Sequence, residues 1–429
     1  MRNPLAWAAL LILAIASPVP AQAVRIGESF APDARYYVSC QVDIVGNLTI
    51  PATKDGAAKQ IKIEGKSTIK YDERILAKSN GKERTIRNYH ELEFERKVGT
   101  ESQRSKLRPA AQQLVILRHN QYEVPFSPKV ALTWGEIELV RTDVFAPALA
   151  GLFPAQPVAV GASWSATNMA IQELTDLDKI DKADFKCTFE KITTLLGRRN
   201  AHVRFEGNVT GLGEDGNALH EINGSYYVDL DAGFLTYLYV KGTHHLLDRN
   251  GKKTGKIEGT FVMTRDRLPH SKLVDDEALR GLTLEPNADN TLLLFEHPNA
   301  NFLYPRNWRI AGVNDKQVGV DEARGSGILL TFSPANATPT GAQFRQDIQQ
   351  WLGKQQAKVY REEKLQTVSS GLEMFAFEAD VAKHRVLLQY YTIRQGNQGA
   401  TITARMLPGD TNALRDLDRI ARSVHLRGN

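Results

Sequence analysis

The sequence predicts an α+β protein: a mainly antiparallel β domain, sheet or half-barrel, followed by an α/β/α layered domain built on an antiparallel sheet. Three observations lead there. Apolar and polar residues alternate with period two in segment after segment as far as about Arg265. A stretch rich in Pro, Asp and Asn then breaks the pattern between Leu268 and Asn290. Beyond it, short strand patterns are bracketed by two helical stripes, an arrangement that favours layered packing. The implied division is an export signal (1–23), a β-rich domain (24–266), a linker (267–290) and the α+β domain (291–429).

The first residues carry a positive charge at Arg2, an apolar run from Leu5 to Ala16, and small residues at Ala21 and Ala23 after Pro18 and Pro20. These are the three parts of a secretory signal, with cleavage between Ala23 and Val24. The apolar run is too short for the ~20 residues a membrane helix needs. No cysteine follows the cleavage point, so a lipid anchor is not expected, and no transmembrane segment remains after signal removal. The expected location is periplasmic or secreted.

In the β-rich region, Ile61, Ile63, Ile69 and Tyr71 alternate with Lys62, Glu64, Lys70 and Asp72. His90, Leu92 and Phe94 likewise alternate with Glu91, Glu93 and Glu95. Phe185–Ile192 and Ala201–Val209 flank the turn signal Gly197-Arg-Arg-Asn200, and Asp231-Ala-Gly233 separates Ser225–Leu230 from Phe234–Lys241. One helix is expected near Thr133–Val144. Val144 to Gln172 carry no charged side chain and are broken by Pro147, Pro154 and Pro157. This stretch reads as a buried crossover between two halves of the β domain, or as an apolar lip over a ligand groove.

The two cysteines, Cys40 and Cys187, sit on the apolar side of strand patterns. Export permits a Cys40–Cys187 disulfide; two separate buried thiols are the alternative. Neither has the flanking His or helix N-terminus that makes a thiol reactive.

In the C-terminal region, strands are expected around Asn301–Tyr304, Trp308–Val313 and Gly327–Phe332. A helix follows at about Ala342–Gln355, capped by Thr340-Gly-Ala-Gln343, with Phe344, Ile348, Trp351 and Leu352 as its stripe. Leu372–Glu378, Arg385–Ile393 and Ala400–Met406 read as strands. A closing helix buries Leu414, Leu417, Ile420 and Ala421.

Phe302-Leu-Tyr-Pro-Arg-Asn-Trp308, the Phe344–Leu352 helix and Ile420-Ala-Arg-Ser-Val424 resemble the PsbP/Mog-like superfamily over about a third of the chain. That resemblance implies a binding scaffold and supplies no catalytic residues. Leu152-Phe-Pro-Ala-Gln-Pro-Val-Ala-Val-Gly-Ala-Ser-Trp164 is similar to a family of uncharacterised secreted bacterial proteins, which implies no activity.

Gly211-Leu-Gly213-Glu-Asp-Gly216 matches a dinucleotide fingerprint by letter but lies between strands, with acids that repel phosphate. Gly251-Lys-Lys-Thr-Gly255-Lys256 lacks the spacing of a phosphate loop. His244-His245 offers a metal only one imidazole per strand face. His90-Glu91 lacks a second His, Phe94 standing in its place. Gly161-Ala-Ser-Trp-Ser165 fails the nucleophile-elbow pattern at its last position. Glu91, Glu93 and Glu95 suit glycosidase spacing, yet Lys62, Lys66 and Lys70 across from them suggest a surface charge ladder. The stretch Arg96–Arg108 reads as a basic loop. An excess of five basic side chains over 429 residues is too dilute for nucleic acid. No cofactor or metal is expected. The leading expectation is a non-catalytic binding protein of the envelope, its partner an envelope protein or a hydrophobic ligand. A lipid carrier with a β cup and a hydrolase using the acidic strand are the alternatives.

Overall fold

Long runs of alternating residues closed by glycine turns condense into antiparallel hairpins, which dominate the computed structural model described for residues 23–50, 59–119, 122–195, 197–214 and 216–427. The strands of the first part are β1 (Arg35–Ile50), β2 (Lys59–Ile75), β3 (Arg84–Val98), β4 (Glu101–Lys106), β5 (Gln113–His119) and β6 (Tyr122–Phe126). After helix α1 (Trp134–Val140) come β7 (Ser163–Ser165), helix α2 (Asn168–Thr175), β8 (Lys179–Leu195), β9 (Arg198–Gly213), β10 (Gly216–Asp229), β11 (Phe234–Leu247) and β12 (Lys253–Arg267). All twelve strands form one sheet in the order β6-β5-β3-β2-β1-β12-β11-β10-β9-β8-β7, with β4 beside β3.

The sheet has an inner and an outer face. Strands β3 and β8 stand at opposite wings, seven inter-strand steps or roughly 34 Å apart if the sheet were flat. Both nevertheless pack on the single segment that runs from α1 through α2, so the sheet curls around it. That segment contributes Ile137, Leu139, Val140, Phe145, Leu149, Leu152 and Ile171 to the core against Cys40, Ile69, Leu92, Leu238, Met263, Tyr226, Val203 and Phe189 of the inner face. The apolar stretch that follows Val144 is therefore an internal plug, not a lip. The Trp164 indole and the Tyr226 hydroxyl both donate to the carbonyl of Leu152, at 2.8 and 2.7 Å.

Helix α3 (Asp276–Leu279) leads to β13 (Leu293–His297), β14 (Ala300–Tyr304), β15 (Trp308–Asn314), β16 (Gln317–Glu322) and β17 (Gly327–Pro334). Helix α4 (Gly341–Lys354), β18 (Val359–Ser369), β19 (Leu372–Val381), β20 (His384–Gln395), β21 (Gln398–Met406), helix α5 (Thr411–Ser423) and β22 (His425–Leu426) complete the chain. They form a three-stranded sheet, β13-β14-β22, and a seven-stranded one, β15-β16-β17-β21-β20-β19-β18. Leu132, just before α1, bridges to Leu293 in β13.

The α+β expectation, with its closing α/β/α layered domain, is corrected here. Of the described residues, 57% lie in strands and 14% in helices, in three antiparallel sheets. The amphipathic stripes of α4 and α5 are strong signals, but each helix covers only a few strands of a broad sheet, and Trp351 of the expected stripe is 39% exposed. Strands β13, β16 and β18 escaped notice; β18, with Arg361-Glu-Glu-Lys364 at an edge, shows no alternation.

The plug is pinned by charge. The Arg87 guanidinium is buried and donates to Glu73 (3.1 Å), to Asp143 (2.9 Å) and to the Val144 carbonyl (2.9 Å). Arg265, equally buried, donates to both oxygens of Glu28, at 2.7 and 3.1 Å, and lies 3.8 Å from Glu73. Tyr36 and the amide of Leu235 close the shell around Glu28, at 2.7 and 3.0 Å. Tyr71 faces Arg87 and Tyr36 faces Arg265, ring to guanidinium, at 4.6 and 4.0 Å. A β-bulge makes this possible: Lys70 pairs Glu91 while Tyr71 pairs Tyr89, leaving His90 as the extra residue. The alternation expected for His90 thereby flips, sending His90 out to Asp72 (2.8 Å) and Arg87 in.

Residues 1–22, most of the expected export signal, lie outside the described residues. Val24 is seated on the fold, exchanging backbone hydrogen bonds with Val158 at 2.9 and 3.0 Å.

Breaking a buried pair strands its partner's charge at a cost of about 3–5 kcal/mol. Arg87→Met should therefore lower unfolding free energy by about that amount in urea titrations. A loss under about 1 kcal/mol would show that the cluster does not hold the plug.

Candidate functional site: the open end of the inner face

The long strands outrun the plug. Pairing registers fix which side chains share the inner face beyond it. One row holds Ile44, Gly65 and Arg96 on one wing and Gly259, Gly242, Ile222 and Gly207 on the other. The next holds Ile63, Val98, Ile257, His244, His220 and Val209; a third holds Leu48, Ile61, Leu246 and Ala218. Ile44, Leu48, Ile61, Val98, Ile257 and Leu246 are all partly exposed, although the inner-face position is the one that drives burial nearer the plug.

Glycine keeps this surface low. A Cβ on Gly65 would lie 2.7 Å from Ile44 Cγ1 and 3.0 Å from Phe94 Cε2. Neighbouring apolar side chains lie across the places where side chains are missing.

Where the plug ends, a cavity of about 460 Å3 opens between it and the inner face. Arg96, Arg141, Thr142, Thr175, His220 and His244 line it, with Glu138, Asp176 and Glu214. Arg141 is fastened by Asp176 (3.1 Å), Glu214 (3.0 Å) and Glu138 (3.6 Å). The rings of His220 and His244, cross-strand partners, lie 4.3 Å apart. Burial and the neighbouring imidazole push His220 down to about 3, so it is neutral at pH 7. Its Nε2 is buried without a hydrogen bond. As expected for adjacent strand residues, His245 turns the other way, to Glu221 at 3.3 Å.

The acidic strand serves a different end. Glu91 pairs with Lys70 at 2.7 Å, and Arg104 bridges Glu93 and Glu95. Lys66 stands opposite Glu95, whereas Lys62 pairs with Glu64 on its own strand. The expected basic loop is strand β4 and its flanks, with Arg108 bound to Glu136 at 2.7 Å. A trough of about 880 Å3 crosses the outer face here, walled by Asp43, Lys66, Glu95 and Arg104. Its opposite charges alternate and compensate one another.

Cys40 and Cys187 are both free and buried. Four strands, β12 to β9, stand between theirs, with the plug packed on the same face. The Cys40 thiol donates to Asp143 at 3.3 Å, and burial followed by the Asp143 charge raises its pKa well above the ordinary range. Burial likewise pushes Cys187 up to about 12. Gly213 and Gly216 flank the β9–β10 turn and Gly251 the β11–β12 turn, so neither phosphate motif opens a helix. Among the described residues no group of three or more His, Cys, Asp or Glu is placed to hold a metal ion, and no helix is long and apolar enough to cross a membrane. Sequence reading missed this site because its members come from seven strands and two helices, and only the register brings them together.

A His held below its ordinary pKa of about 6.5 opposes folding once the unfolded chain protonates. Its contribution is intact above pH 6.5 and is lost as pH falls toward 3. His220→Phe should therefore flatten the stability loss between pH 7 and pH 4 by on the order of 1–3 kcal/mol, read by urea titration at each pH. An unchanged slope would contradict a neutral, half-buried His220.

No family model matches the chain, and no curated protein matches it. Among solved structures, cyanobacterial PsbP from Synechocystis sp. PCC 6803 aligns with 32% of this chain and 92% of its own at 13% identity and a TM-score of 0.25. Lipovitellin aligns with 56% of this chain at 10% identity and a TM-score of 0.32, and the chain spans 26% of it. DynF from the dynemicin pathway of Micromonospora chersina aligns with 59% of this chain and 95% of its own at 9% identity and a TM-score of 0.15. The PsbP likeness is weak, and all three are too distant to bear on function.

Proposed function

We propose that this is an exported, non-catalytic binding protein that holds a small amphipathic molecule on the open end of its inner face. The observation that carries this reading is the set of partly exposed Ile44, Leu48, Ile61, Ile257 and Leu246 over three neighbouring rows beyond the plug, beside a polar cavity of about 460 Å3. Pockets with apolar walls and a few convergent polar groups are the usual form of small-ligand sites. The apolar rows suit a hydrocarbon portion, and the cavity at the plug end suits a polar one. The ion-paired Glu91, Glu93 and Glu95 on the outer face favour this over the hydrolase alternative. Export rests on the signal-like residues 1–23 and puts the ligand in the periplasm or outside the cell.

Mature protein should enhance the fluorescence of an apolar naphthylamine probe saturably, at one site per chain. Ile257→Asp, which puts a charge on the apolar row, should weaken the probe at least tenfold while leaving the circular dichroism spectrum unchanged. Absence of saturable binding, or equal binding by the variant, would remove the proposal.

A further inference from the structure

The two edges of the seven-stranded sheet are built differently. The β18 edge carries Arg361, Glu362, Glu363 and Lys364, and its ladder to β19 shifts register three times. Charges and bulges of that kind keep further strands from pairing with an edge. The β15 edge reads Trp-Arg-Ile-Ala-Gly-Val-Asn, with Arg309 its one charge and a single register shift at Ala311. Ala311, Gly312 and Val313 are exposed. Among the described residues no backbone hydrogen bond reaches residues 309–313 from outside the β15–β16 ladder. The peptide groups on the outer side of β15 are therefore left to solvent, in a segment that does little to repel a strand.

The side chains beside this edge define what such a strand must carry. Phe344 of α4 packs on Phe375 and Tyr390. The row through Tyr390 runs on past the helix to Thr403, Leu329, Gly319 and Gly312. Leu329 is exposed, and the two glycines leave a trough of about 750 Å3 behind the edge. A Cβ on Gly312 would meet nothing within 4 Å. The neighbouring row holds Arg405, Gly327, Asp321 and Arg309. Among the described residues neither arginine has a carboxylate within ion-pair distance, so two cations there face one acid.

We infer that β15 takes up an extended peptide of a partner protein as an eighth strand of this sheet. Main-chain hydrogen bonds to the open edge supply the affinity. An acidic side chain stands beside Arg309, and a large apolar one lies over Gly312 and Gly319 toward Leu329. This site is separate from the inner face of the larger sheet and does not depend on it.

The test is a fluorescence-polarisation titration of mature protein with capped, labelled peptides of alternating Thr and Val that carry one Glu and one Phe on the same face. The parent peptide should bind saturably. N-methylation of the amides along one edge of the peptide should weaken it at least tenfold, while methylation along the other edge should leave it bound. Exchanging its Glu for Lys should weaken binding at least threefold, and Arg309→Glu in the protein should reverse that preference. Gly312→Val, which fills the trough where no atom stands, should abolish the preference for Phe over Ala. Circular dichroism checks the folding of both variants; should one not fold, the methylated and Lys-bearing peptides on unmodified protein decide alone. Absence of saturable binding, equal loss from the two methylation patterns, or a charge preference that Arg309→Glu leaves in place overturns the inference. A peptide-free dimer in sedimentation that Arg309→Glu or Gly312→Val dissolves assigns the edge to a second copy, and overturns it as well.

Discussion

Two arginines buried among three carboxylates fix where the plug sits, and most other features follow from that placement. Arg87 reaches Asp143 and the Val144 carbonyl at the plug's start, while Arg265 reaches Glu28 in the N-terminal segment. Glu73 lies between them, 3.1 Å from one and 3.8 Å from the other. Ions this deep carry a heavy desolvation penalty, and an apolar cluster of equal volume would often stabilise a core as well. What ions add is direction. A guanidinium directs its N–H donors only in its plane and at hydrogen-bond distance, so the start of the plug has one seat on the inner face. The bulge at His90 belongs to the same device, because without it Arg87 would point outward.

From that seat, strand length decides the rest. The plug covers the inner rows from Tyr36 and Tyr71 to about Phe94 and Phe261, whereas β1, β2 and β8 run on for 16 or 17 residues. Beyond the plug the inner face keeps its apolar alternation; Val209, Ala218 and Ile222 are buried there, whereas Ile44, Leu48, Ile61, Ile257 and Leu246 stay partly exposed among the described residues. Gly65 keeps this part of the sheet free of bulk. The opposite arrangement holds outside: at Lys70–Glu91 and at Arg104 with Glu93 and Glu95, charges face one another across strands and neutralise locally. Such pairs add little stability individually, but they keep the outer face of this wing solvated.

Much of the β-rich region was legible in the sequence because strand signals are local. Alternation at Ile61–Tyr71 and the turn at Asp231-Ala-Gly233 each report on a few neighbours, and the crossover reading of Val144–Gln172 needed only its prolines and lack of charge. Overall class was less legible, since helix periodicity in Phe344–Leu352 and Leu414–Ala421 is conspicuous whereas an edge strand such as Val359–Ser369 hides behind charged residues. The buried cluster was invisible for a different reason. Glu28, Glu73, Arg87, Asp143 and Arg265 look like solvated residues one at a time, and a single bulge inverts the face on which Arg87 falls. The candidate site shares that property: His220 and His244 are adjacent only through the β10–β11 register.

The placement of the plug also limits what the protein can hold. A sheet curled around an empty interior would admit a bulky lipid along its full length, as the cup-and-lip alternative supposed. Here Phe145, Leu149, Leu152 and Ile171 already fill that space, and displacing them would strand Asp143 from Arg87. The partly exposed positions span about three rows, or on the order of 13 Å along the strands, ending at a cavity where Arg141 is held by Asp176, Glu214 and Glu138. A ligand on the inner face would therefore lie along the partly exposed Ile44, Leu48 and Ile257 positions rather than in the space the plug occupies.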